Sequence, residues 1–319
     1  MNKTLLAIGE ALIDFIPAQT GCKFSEVKSF SPALGGAPAN VCGAYAKLGG
    51  KSKIITQLGC DPFGYKIKDE LESSGIDTSC VSMTNKANTA LAFVSLEKNG
   101  DRTFSFYRNP SADMLFDKSQ VSSSWFDDAY ALHFCSVSLG RFPMRDAHLT
   151  AIQYARESGA LISFDPNLRT QLWDDKEDLK KTVSEFIPQS DILKISDEEL
   201  EFITGKKNIE DALDSLFIEN VKLVIYTCGA DGAYAYTGKA KAYAESYKVK
   251  AFDTTGAGDG FIGSFLWSLS ARGISSDNLS DISQETLREC LMYSNKFCSL
   301  SVQSPGAIAS YPEPDKINI

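Results

Sequence analysis

Residues 250–270, KAFDTTGAGDGFIGSFLWSLS, form the most informative stretch of this sequence. The pattern predicts a strand that ends at Phe252, then a run of small residues, and then an apolar helix opened by Asp259. Glycines in the run leave backbone N–H groups unshielded at the positive end of that helix, which suits a phosphate. An aspartate at a helix start is usually an N-cap, but a cap needs no run of small residues. We therefore expect Asp259 to accept a proton from a hydroxyl that attacks phosphorus.

Outward from this stretch, short apolar runs alternate with helical patterns. The strand-like runs are LLAIG, KIITQLG, ALHFCSVS, ALISFDPN, DILKIS and KLVIYTCG. Helical patterns cover residues 39–48, 64–73, 145–157, 177–186 and 284–300, and two acidic helices follow DILKIS. Strands that alternate with helices of this length indicate βαβ units. We predict an α/β fold over residues 1–319, with a central, mostly parallel sheet flanked by helices.

Two segments, at about 15–31 and 90–108, break the alternation and predict a small accessory antiparallel sheet. In the second segment two strand-like runs meet at Asn99-Gly100, which is a strong hairpin signal. Phe104 and Phe106 share one face of the second run with Arg102 and Arg108. Such an amphipathic strand could cover a pocket, or it could belong to an ordinary surface hairpin.

Composition limits the functions that remain open. The chain has 319 residues, 43% of them hydrophobic, and is therefore globular. Its net charge of −9 has the wrong sign for a protein that binds nucleic acid or anionic membranes. The N-terminal apolar run is too short for a signal peptide, and the longest uncharged run, residues 29–46, is broken by prolines and glycines. We expect a cytoplasmic protein without a transmembrane helix.

Several chemistries lack their usual residues. The eight cysteines are spread along the chain without a CxxC pair, which favours buried, reduced thiols over disulfides or zinc. His133 and His148 are the two histidines, and both are predicted to be structural. Gly50-Lys51-Ser52 is not a P-loop, because Tyr45 occupies the position of the required first glycine. Residues 250–270 also do not match the glycine pattern of a dinucleotide-binding site. Oxidoreduction with a dinucleotide cofactor is therefore a minor alternative.

Two separated motifs resemble the ribokinase-like (PfkB) carbohydrate kinases. One is LGGAPANVCGAYAKLGG, with Gly35, Gly36 and Asn40, and the other is DTTGAGD in the C-terminal third. The resemblance covers essentially the whole chain. It implies a parallel-sheet α/β domain with a small β-sheet lid over the sugar, and transfer of phosphate from ATP to a sugar hydroxyl.

The resemblance also implies roles for individual residues around the sugar. Asp259 matches the catalytic base, and the amides of Gly256, Ala257 and Gly258 match the anion hole, although Gly260 stands where alanine is commoner. Arg169 is expected to hold the transferred phosphoryl group, with a surface ion pair to Asp174 or Asp175 as the alternative. The expected sugar-binding set comprises Asp14, Gly35, Gly36, Asn40, Phe106, Arg108 and Asn167.

Nucleotide and cation sites follow from the same resemblance. The expected nucleotide-binding residues are Ser196, Thr227, Gly229, Gly232 and Asn295. Glu199 matches the residue that organises Mg²⁺ through water, with Ser196 in place of the family's asparagine; the alternative is a plain acidic helix start. A monovalent-cation site, expected to bind K⁺, would comprise Asp253, Thr255, Ser301, Ser304, Gly306 and Ser310.

Three further motifs, GEALIDFIP, FYRNPSAD and DPNLR, are most similar to those of fructokinases. The resemblance therefore implies an enzyme that makes fructose 6-phosphate from fructose and ATP. Three alternatives stay open: a 2-keto-3-deoxygluconate kinase, another PfkB sugar or nucleoside kinase, and a catalytically silent regulatory homologue. Exposed strand edges in the lid, together with Phe104 and Phe106, predict a homodimer through the lid.

Overall fold

The structure is a computed structural model that describes residues 4–19, 21–96 and 102–317. Its strands are β1 (Thr4–Ile8), β2 (Leu12–Pro17), β3 (Phe30–Gly35), β4 (Lys51–Gly59), β5 (Ile76–Asp77), β6 (Val81–Thr84), β7 (Leu91–Leu96), β8 (Arg102–Tyr107), β9 (Ala129–Cys135), β10 (Leu161–Asp165), β11 (Ile192–Ser196), β12 (Leu223–Thr227), β13 (Ala233–Tyr236) and β14 (Lys241–Ala244). Its α-helices are α1 (Ala37–Lys47), α2 (Pro62–Ser73), α3 (Pro143–Glu157), α4 (Lys176–Phe186), α5 (Asp197–Thr204), α6 (Ile209–Leu216), α7 (Ala257–Ala271) and α8 (Gln284–Ser301).

The central sheet has the strand order β14-β13-β12-β11-β10-β9-β1-β4-β5, and β6 also pairs with β4. Strands from β12 through β9 and β1 to β4 run parallel, while β13 and β14 add an antiparallel edge. Every residue of β1 and β9 is buried, as expected for strands covered by helices on both faces. The predicted α/β architecture is confirmed.

Two helical layers cover the sheet. Helices α3, α4, α5 and α6 contribute to the core on one face, whereas α1, α7 and α8 contribute to the core on the other. Because parallel strands all end at the same edge of the sheet, the loops after β10, β11 and β12 meet there. The N-termini of α1 and α7 approach each other at this edge, where Asn40 bonds to Asp259.

Two details of residues 250–270 differ from the prediction. Lys250–Phe252 is not a strand: the amides of Phe252 and Asp253 both donate to the carbonyl of Val302, so this segment runs along the end of α8 instead of joining the sheet. Helix α7 begins at Ala257, two residues earlier than predicted. Asp259 is consequently the third residue of the helix and not its cap.

A second sheet, which we call the lid, has the strand order β3-β2-β7-β8. Its two hairpins, β2–β3 and β7–β8, are antiparallel, but they join through the parallel pair β2–β7. The accessory sheet is confirmed, while its prediction as antiparallel throughout is wrong, because the two hairpins come from separate parts of the chain and lie side by side. The predicted turn at Asn99-Gly100 lies outside the described residues.

The histidines and cysteines match their predictions to different degrees. Burial lowers the pKa of His133 to about 3 and that of His148 to about 4, so both side chains are neutral parts of the core. All eight cysteines are unpaired. Four of them are buried as predicted, whereas Cys60 is exposed.

Within the described ranges, we find no helix that combines the length and the hydrophobicity needed to cross a membrane.

Candidate active site

Asp259 is the centre of the candidate site. Its side chain is buried, and each carboxylate oxygen accepts a hydrogen bond from an asparagine. Asn40 Nδ2 donates to Oδ2 at 2.9 Å, and Asn167 Nδ2 donates to Oδ1 at 3.1 Å. Asn40 lies on α1 and Asn167 follows β10, so two distant parts of the chain orient one carboxylate. The oxygens keep lone pairs with which to accept a proton.

The surroundings of Asp259 change its basicity. Burial raises the pKa of Asp259 to about 6. The hydrogen bond from Asn40 lowers the pKa but does not offset the effect of burial. Asp165 adds to the rise, while the charges of Arg169 and Lys194 oppose it. A carboxylate with this pKa is ionised at pH 7 and is a stronger base than an exposed aspartate, which suits proton abstraction near neutrality.

Gly256 forms the turn that leads into α7. It is the N-cap of the helix with φ +70°, and a Cβ at this position would lie 2.5 Å from Ala307 Cβ. The hydroxyl of Tyr311 donates to the carbonyl of Gly256 at 2.9 Å. The C-terminal segment therefore holds the turn in place. A residue larger than glycine at position 256 would displace either the turn or the C-terminal segment.

The predicted anion hole lies at the positive end of α7, next to Asp259. Its three residues, Gly256, Ala257 and Gly258, line one cavity together with Asp259. The amide of Ala257 donates to the carbonyl of Thr254 at 3.2 Å, so one of the three predicted donors already has a protein acceptor. The first amides of a helix lack partners within the helix, which makes this end suitable for phosphate oxygens.

Lys194, which the sequence analysis did not single out, lies at the same helix end. Its Nζ would be 3.5 Å from a Cβ at Gly258, and it forms a buried ion pair of 2.6 Å with Asp165 Oδ2. Burial lowers the pKa of Lys194, but the carboxylates of Asp165 and Glu199 outweigh burial and raise the pKa above its usual value. A permanent positive charge therefore faces the anion hole. The signal in the sequence was a lysine inside the otherwise apolar strand run DILKIS.

The loop after β10 carries two predicted site residues. Asn167 has φ +45°, an uncommon conformation for a residue other than glycine, and such strain often marks functional positions. Arg169 is half-buried, and its Nη1 donates to the carbonyl of Leu168 at 3.0 Å. In the described ranges Arg169 forms no ion pair with Asp174 or Asp175, so the surface-pair alternative is not seen.

Glu199 ties this loop to α5. Its Oε2 accepts hydrogen bonds from the amide and the hydroxyl of Ser196, both at 2.9 Å, and its Oε1 accepts one from the amide of Leu168 at 2.8 Å. The described residues contain no cluster of three or more histidine, cysteine or acidic side chains that could hold a metal. Because both oxygens of Glu199 already accept hydrogen bonds from the protein, this carboxylate suits contact with a metal through water, an arrangement that Mg²⁺ commonly adopts.

The glycine pair at the end of β3 allows close contacts on the sugar side. A Cβ at Gly35 would lie 2.2 Å from Asp14 Oδ2, and one at Gly36, which has φ +105°, would lie 2.5 Å from the carbonyl oxygen of Glu10. Asn40 follows on α1, and its Oδ1 is buried with no hydrogen-bond partner among the described residues. This acceptor is available to a hydroxyl of a bound ligand.

The two lid residues predicted to contact the sugar differ in environment. Phe106 is half-buried and stacks on Phe104 with ring centroids 5.7 Å apart. Arg108 is buried and forms an ion pair with Asp113. The guanidinium of Arg108 is therefore not an unpaired cation over the pocket.

A cavity of about 710 Å³ extends from Asp259 away from the lid strands. The five predicted nucleotide-binding residues all line it: Ser196, Thr227, Gly229, Gly232 and Asn295. The sequence analysis missed the irregular segment after β14, of which Ser246, Tyr247, Lys248, Val249 and Ala251 also line the cavity.

Contacts within the protein explain why two of these cavity residues, Gly232 and Asn295, are a glycine and an asparagine. A Cβ at Gly232 would lie 2.2 Å from the carbonyl oxygen of Ala244, whereas one at Gly229 would meet nothing within 4 Å. Asn295 Nδ2 donates to the carbonyls of Ala244 at 2.9 Å and Glu245 at 3.3 Å. The amide of Asn295 thus anchors the segment that follows β14.

The predicted monovalent-cation residues come from two segments that the fold brings together. Asp253 Oδ1 accepts hydrogen bonds from the amide and hydroxyl of Thr255 at 2.9 and 2.6 Å, and its Oδ2 accepts one from the amide of Gly306 at 2.9 Å. The hydroxyls of Ser301 and Ser310 lie 2.7 Å apart. Ser304 donates its amide to the carbonyl of Ser301 at 3.1 Å.

The pattern of the pfkB family carbohydrate kinases matches residues 2–314. The chain belongs to this family. As a pfkB carbohydrate kinase it is a phosphotransferase that acts on a sugar hydroxyl, and the resemblance inferred from the sequence is confirmed.

Among its relatives, this kinase is similar to plant fructokinases. It is 41% identical to a probable fructokinase-5 of Arabidopsis thaliana, with 97% of this chain and 94% of the relative covered. It is 40% identical to fructokinase-2 of Solanum lycopersicum, with 97% and 93% covered.

Solved structures of bacterial fructokinases share the fold of this pfkB kinase. A fructokinase from Xylella fastidiosa with bound ATP superposes with a TM-score of 0.91 at 31% identity, covering 99% of this chain and 97% of that one. A Vibrio cholerae fructokinase variant solved with fructose, ADP and potassium ion has a TM-score of 0.87 at 32% identity, with 98% and 96% covered.

Proposed function

We propose that the protein is an ATP-dependent fructokinase, which transfers the γ-phosphoryl group of ATP to fructose and yields fructose 6-phosphate. The observation that carries the proposal is the buried Asp259 carboxylate, held by Asn40 and Asn167 at the positive end of α7 and beside a cavity large enough for a nucleotide. Fructokinase relatives at about 40% identity over nearly the whole chain support fructose as the acceptor.

In the proposed reaction Asp259 accepts the proton of the attacking sugar hydroxyl. The sugar oxygen forms a bond to the γ-phosphorus as the bond from that phosphorus to the β–γ bridging oxygen breaks, and ADP leaves with that oxygen. The amides at the start of α7, together with Arg169 and Lys194, stabilise the charge on the phosphoryl oxygens. Fixed positive groups of this kind commonly contribute 10²–10³-fold to a rate, as an order of magnitude.

The sugar would lie between the lid and α1. We assign its hydroxyls to Asp14 and to the unpartnered Oδ1 of Asn40, with Gly35 and Gly36 giving room and Phe106 covering one face. Carboxylate and amide groups recognise hydroxyls without requiring charge on the sugar, which favours a neutral acceptor. The nucleotide would occupy the cavity, with Ser196, Thr227, Gly229, Gly232 and Asn295 along its walls.

Mg²⁺ fits the chemistry of this cavity as a partner of the nucleotide. Glu199 and Asp165 line the cavity, and both already accept hydrogen bonds from the protein, which suits contact with the ion through water. When bound with ATP, Mg²⁺ would neutralise charge on the phosphates. A putative ribokinase II from E. coli, 28% identical to this chain, has been solved with ATP and Mg²⁺.

A K⁺ ion is the proposed monovalent activator. Asp253 and Thr255 precede the anion hole directly, and the proposed site would be completed by Ser301, Ser304, Gly306 and Ser310. We expect activity to rise when K⁺ replaces a bulky organic cation at equal ionic strength and constant Mg²⁺. An unchanged rate would contradict a functional monovalent-cation site.

We further propose that residues 1–319 form one kinase unit, with the lid covering the sugar. Two chains would pair through their lids, and the enzyme would work in the cytoplasm on small molecules. Two exposed aromatic residues, Tyr107 on β8 and Phe24 in the connection between β2 and β3, support pairing through the lid. The eight unpaired cysteines suit a reducing compartment.

The test of the proposed function is ATP consumption measured with fructose, ribose, tagatose, adenosine and 2-keto-3-deoxygluconate, followed by identification of the product. We expect fructose to give the highest kcat/KM and fructose 6-phosphate as product. A higher kcat/KM for another acceptor would transfer the assignment to that acceptor. Absence of acceptor-dependent ATP consumption would favour a catalytically silent regulatory protein.

A further inference from the structure

A cluster of buried polar side chains lies where the lid joins the body, and we call it the junction cluster: Glu10, Arg108, Ser111, Asp113 and Ser138. Arg108 Nη2 forms an ion pair with Asp113 Oδ2, and the hydroxyl of Ser111 donates to Asp113 Oδ1 at 2.5 Å. The hydroxyl of Ser138 donates to Glu10 Oε2 at 2.7 Å. All five residues are at most 8% exposed.

Strand register connects this cluster to the proposed sugar site. Asp14 on β2 pairs with Ala92 on β7, and Ala92 pairs with Phe106 on β8, so the three residues share one row and one face of the lid. Arg108 follows Phe106 by two residues, and burial alternates along this segment, with Phe106 and Arg108 inward and Tyr107 outward. Arg108 therefore extends the face that carries Asp14 and Phe106 towards the body.

The opposite wall of the cluster also borders the sugar site. The carbonyl of Glu10 lies against Gly36, close enough that a Cβ at Gly36 would approach it to 2.5 Å. Arg108 Nη1 contacts the carbonyl of Val137 at 3.5 Å, while its Nε is buried without a hydrogen-bond partner among the described residues. Arg108 Nε therefore has no described partner, and it belongs to a residue that follows Phe106 by two positions on the inward side of the lid.

The direct ion pair of this cluster joins Arg108 to Asp113. Asp113 is in direct contact with Arg108, whereas Glu10 bonds to Ser138 and acts on Arg108 from a greater distance. Among the described residues Glu10 forms no direct ion pair with Arg108, and its Oε2 already accepts the hydrogen bond from Ser138. Compensation of the Arg108 charge therefore depends mainly on Asp113.

We propose that Asp113 is a specificity-determining residue: by neutralising Arg108 at the lid junction, it makes the sugar site selective for neutral ketoses over sugar acids. This inference rests on the proposed function and extends it to substrate charge. An unpaired buried guanidinium beside the sugar would attract a carboxylate strongly, since charge interactions are larger away from water. With Asp113 in place, a sugar acid must be buried without a free cation to receive it, which is unfavourable.

The test is the ratio of kcat/KM for 2-keto-3-deoxygluconate to kcat/KM for fructose, measured on one preparation of each variant. Such a ratio is independent of the fraction of active enzyme, so a purely structural defect does not move it. In Asp113→Asn, where an amide replaces the carboxylate, we expect the ratio to rise at least tenfold in favour of the acid. The double variant Arg108→Gln/Asp113→Asn should lose that gain, because it has no cation to expose.

Asp178→Asn is the matched control, because Asp178 also pairs with an arginine, Arg141, but at the protein surface. Its ratio should equal that of the parent. Asp113→Ser provides a second variant with the same expected rise. If the Asp113 variants fold and their ratio stays within twofold of the parent ratio, the proposal is overturned. It is also overturned if neither variant folds, because Asp113 would then act in stability and not in specificity. A parent enzyme that does not phosphorylate fructose would instead contradict the proposed function.

Discussion

At the scale of single residues, the chemistry depends on how the Asp259 carboxylate is held. Asn40 and Asn167 bind one oxygen each, so the carboxylate is fixed before any substrate arrives. Preorganised groups avoid the cost of reorganisation at the moment of reaction. Burial supplies the second property, a pKa of about 6, which makes this aspartate a better base than an exposed one.

The raised pKa predicts a pH profile. Because only the ionised carboxylate can accept the proton, log kcat/KM for fructose should be level above pH 7 and fall with a slope of one below about pH 6. In Asn40→Ala the acid limb should move to higher pH by about one unit, since this hydrogen bond stabilises the charged form. Steady-state kinetics across pH 4.5–8 would measure the acid limb of the parent and that of Asn40→Ala. An acid limb at the same pH in both proteins would mean that another group, such as a nucleotide phosphate, sets it.

Site residues differed in how far the sequence could predict them. Asn40 and Asp259 are far apart in the chain, and only the resemblance of two motifs to one family predicted that they would meet. Lys194 was missed because one lysine in an apolar strand has no local pattern, and its partner Asp165 lies on a different strand. Arg108 was correctly placed on the inward face of the lid, but the ion pair with Asp113 depends on a turn that periodicity does not describe.

At the scale of elements, the N-terminus of α7 is built jointly by a glycine turn and the C-terminal segment. Gly256 has a left-handed conformation, Ala307 fills the space beside it, and Tyr311 binds its carbonyl. The anion hole therefore depends on contacts made by residues near the end of the chain.

Gly256→Ala tests this dependence, and Gly205→Ala is its matched control. Both glycines have φ 70° and ψ 8°, but a Cβ at Gly205 meets nothing within 4 Å. Gly205→Ala should lower the free energy of unfolding by about 1–2 kcal/mol, the cost of the left-handed conformation. Gly256→Ala should lower it by a further ~1–3 kcal/mol through overpacking, and should also reduce kcat at least about tenfold. Denaturant unfolding and kinetics would measure these effects, and equal losses in both variants would contradict the role of the Ala307 contact.

Elements with strong periodicity were predicted to within two or three residues, as the ends of α3, α4 and α8 illustrate. The β13–β14 hairpin was missed, because its strands are four residues long and rich in alanine, with little pattern to distinguish them. The parallel contact between β2 and β7 could not be read from either hairpin alone, since it joins segments far apart in the chain.

At the scale of the whole molecule, the lid carries aromatic residues on both faces. Phe104 and Phe106 are half-buried on the inward face, whereas Tyr107 is 62% exposed on the other. Phe93 on the same outer face stacks against Phe15 at 4.7 Å and contacts Tyr107 at 5.3 Å. Because Phe104 and Phe106, which contributed to the predicted dimer, face inward, the proposed pairing would use the outer face of the lid instead.

The proposed homodimer predicts a particle of twice the 34.8 kDa of one chain in light scattering. Tyr107→Lys should reduce the mass towards that of the monomer, because it places a charge on the exposed lid face. Leu149→Lys, at an exposed apolar position on α3, is the control and should leave the mass unchanged. A parent mass of one chain at working concentration would contradict the dimer, and a Tyr107→Lys dimer would move the interface away from this face.

The central claim, that Asp259 is the base of a sugar kinase, is tested most directly by Asp259→Asn. The amide keeps the size of the carboxylate but cannot accept the proton. We expect kcat for fructose to fall by about 10²–10⁴ while ATP and fructose bind with dissociation constants within a few-fold of the parent. Stopped-assay kinetics and calorimetry on the same preparations would give both quantities. Near-normal turnover in Asp259→Asn would contradict the account.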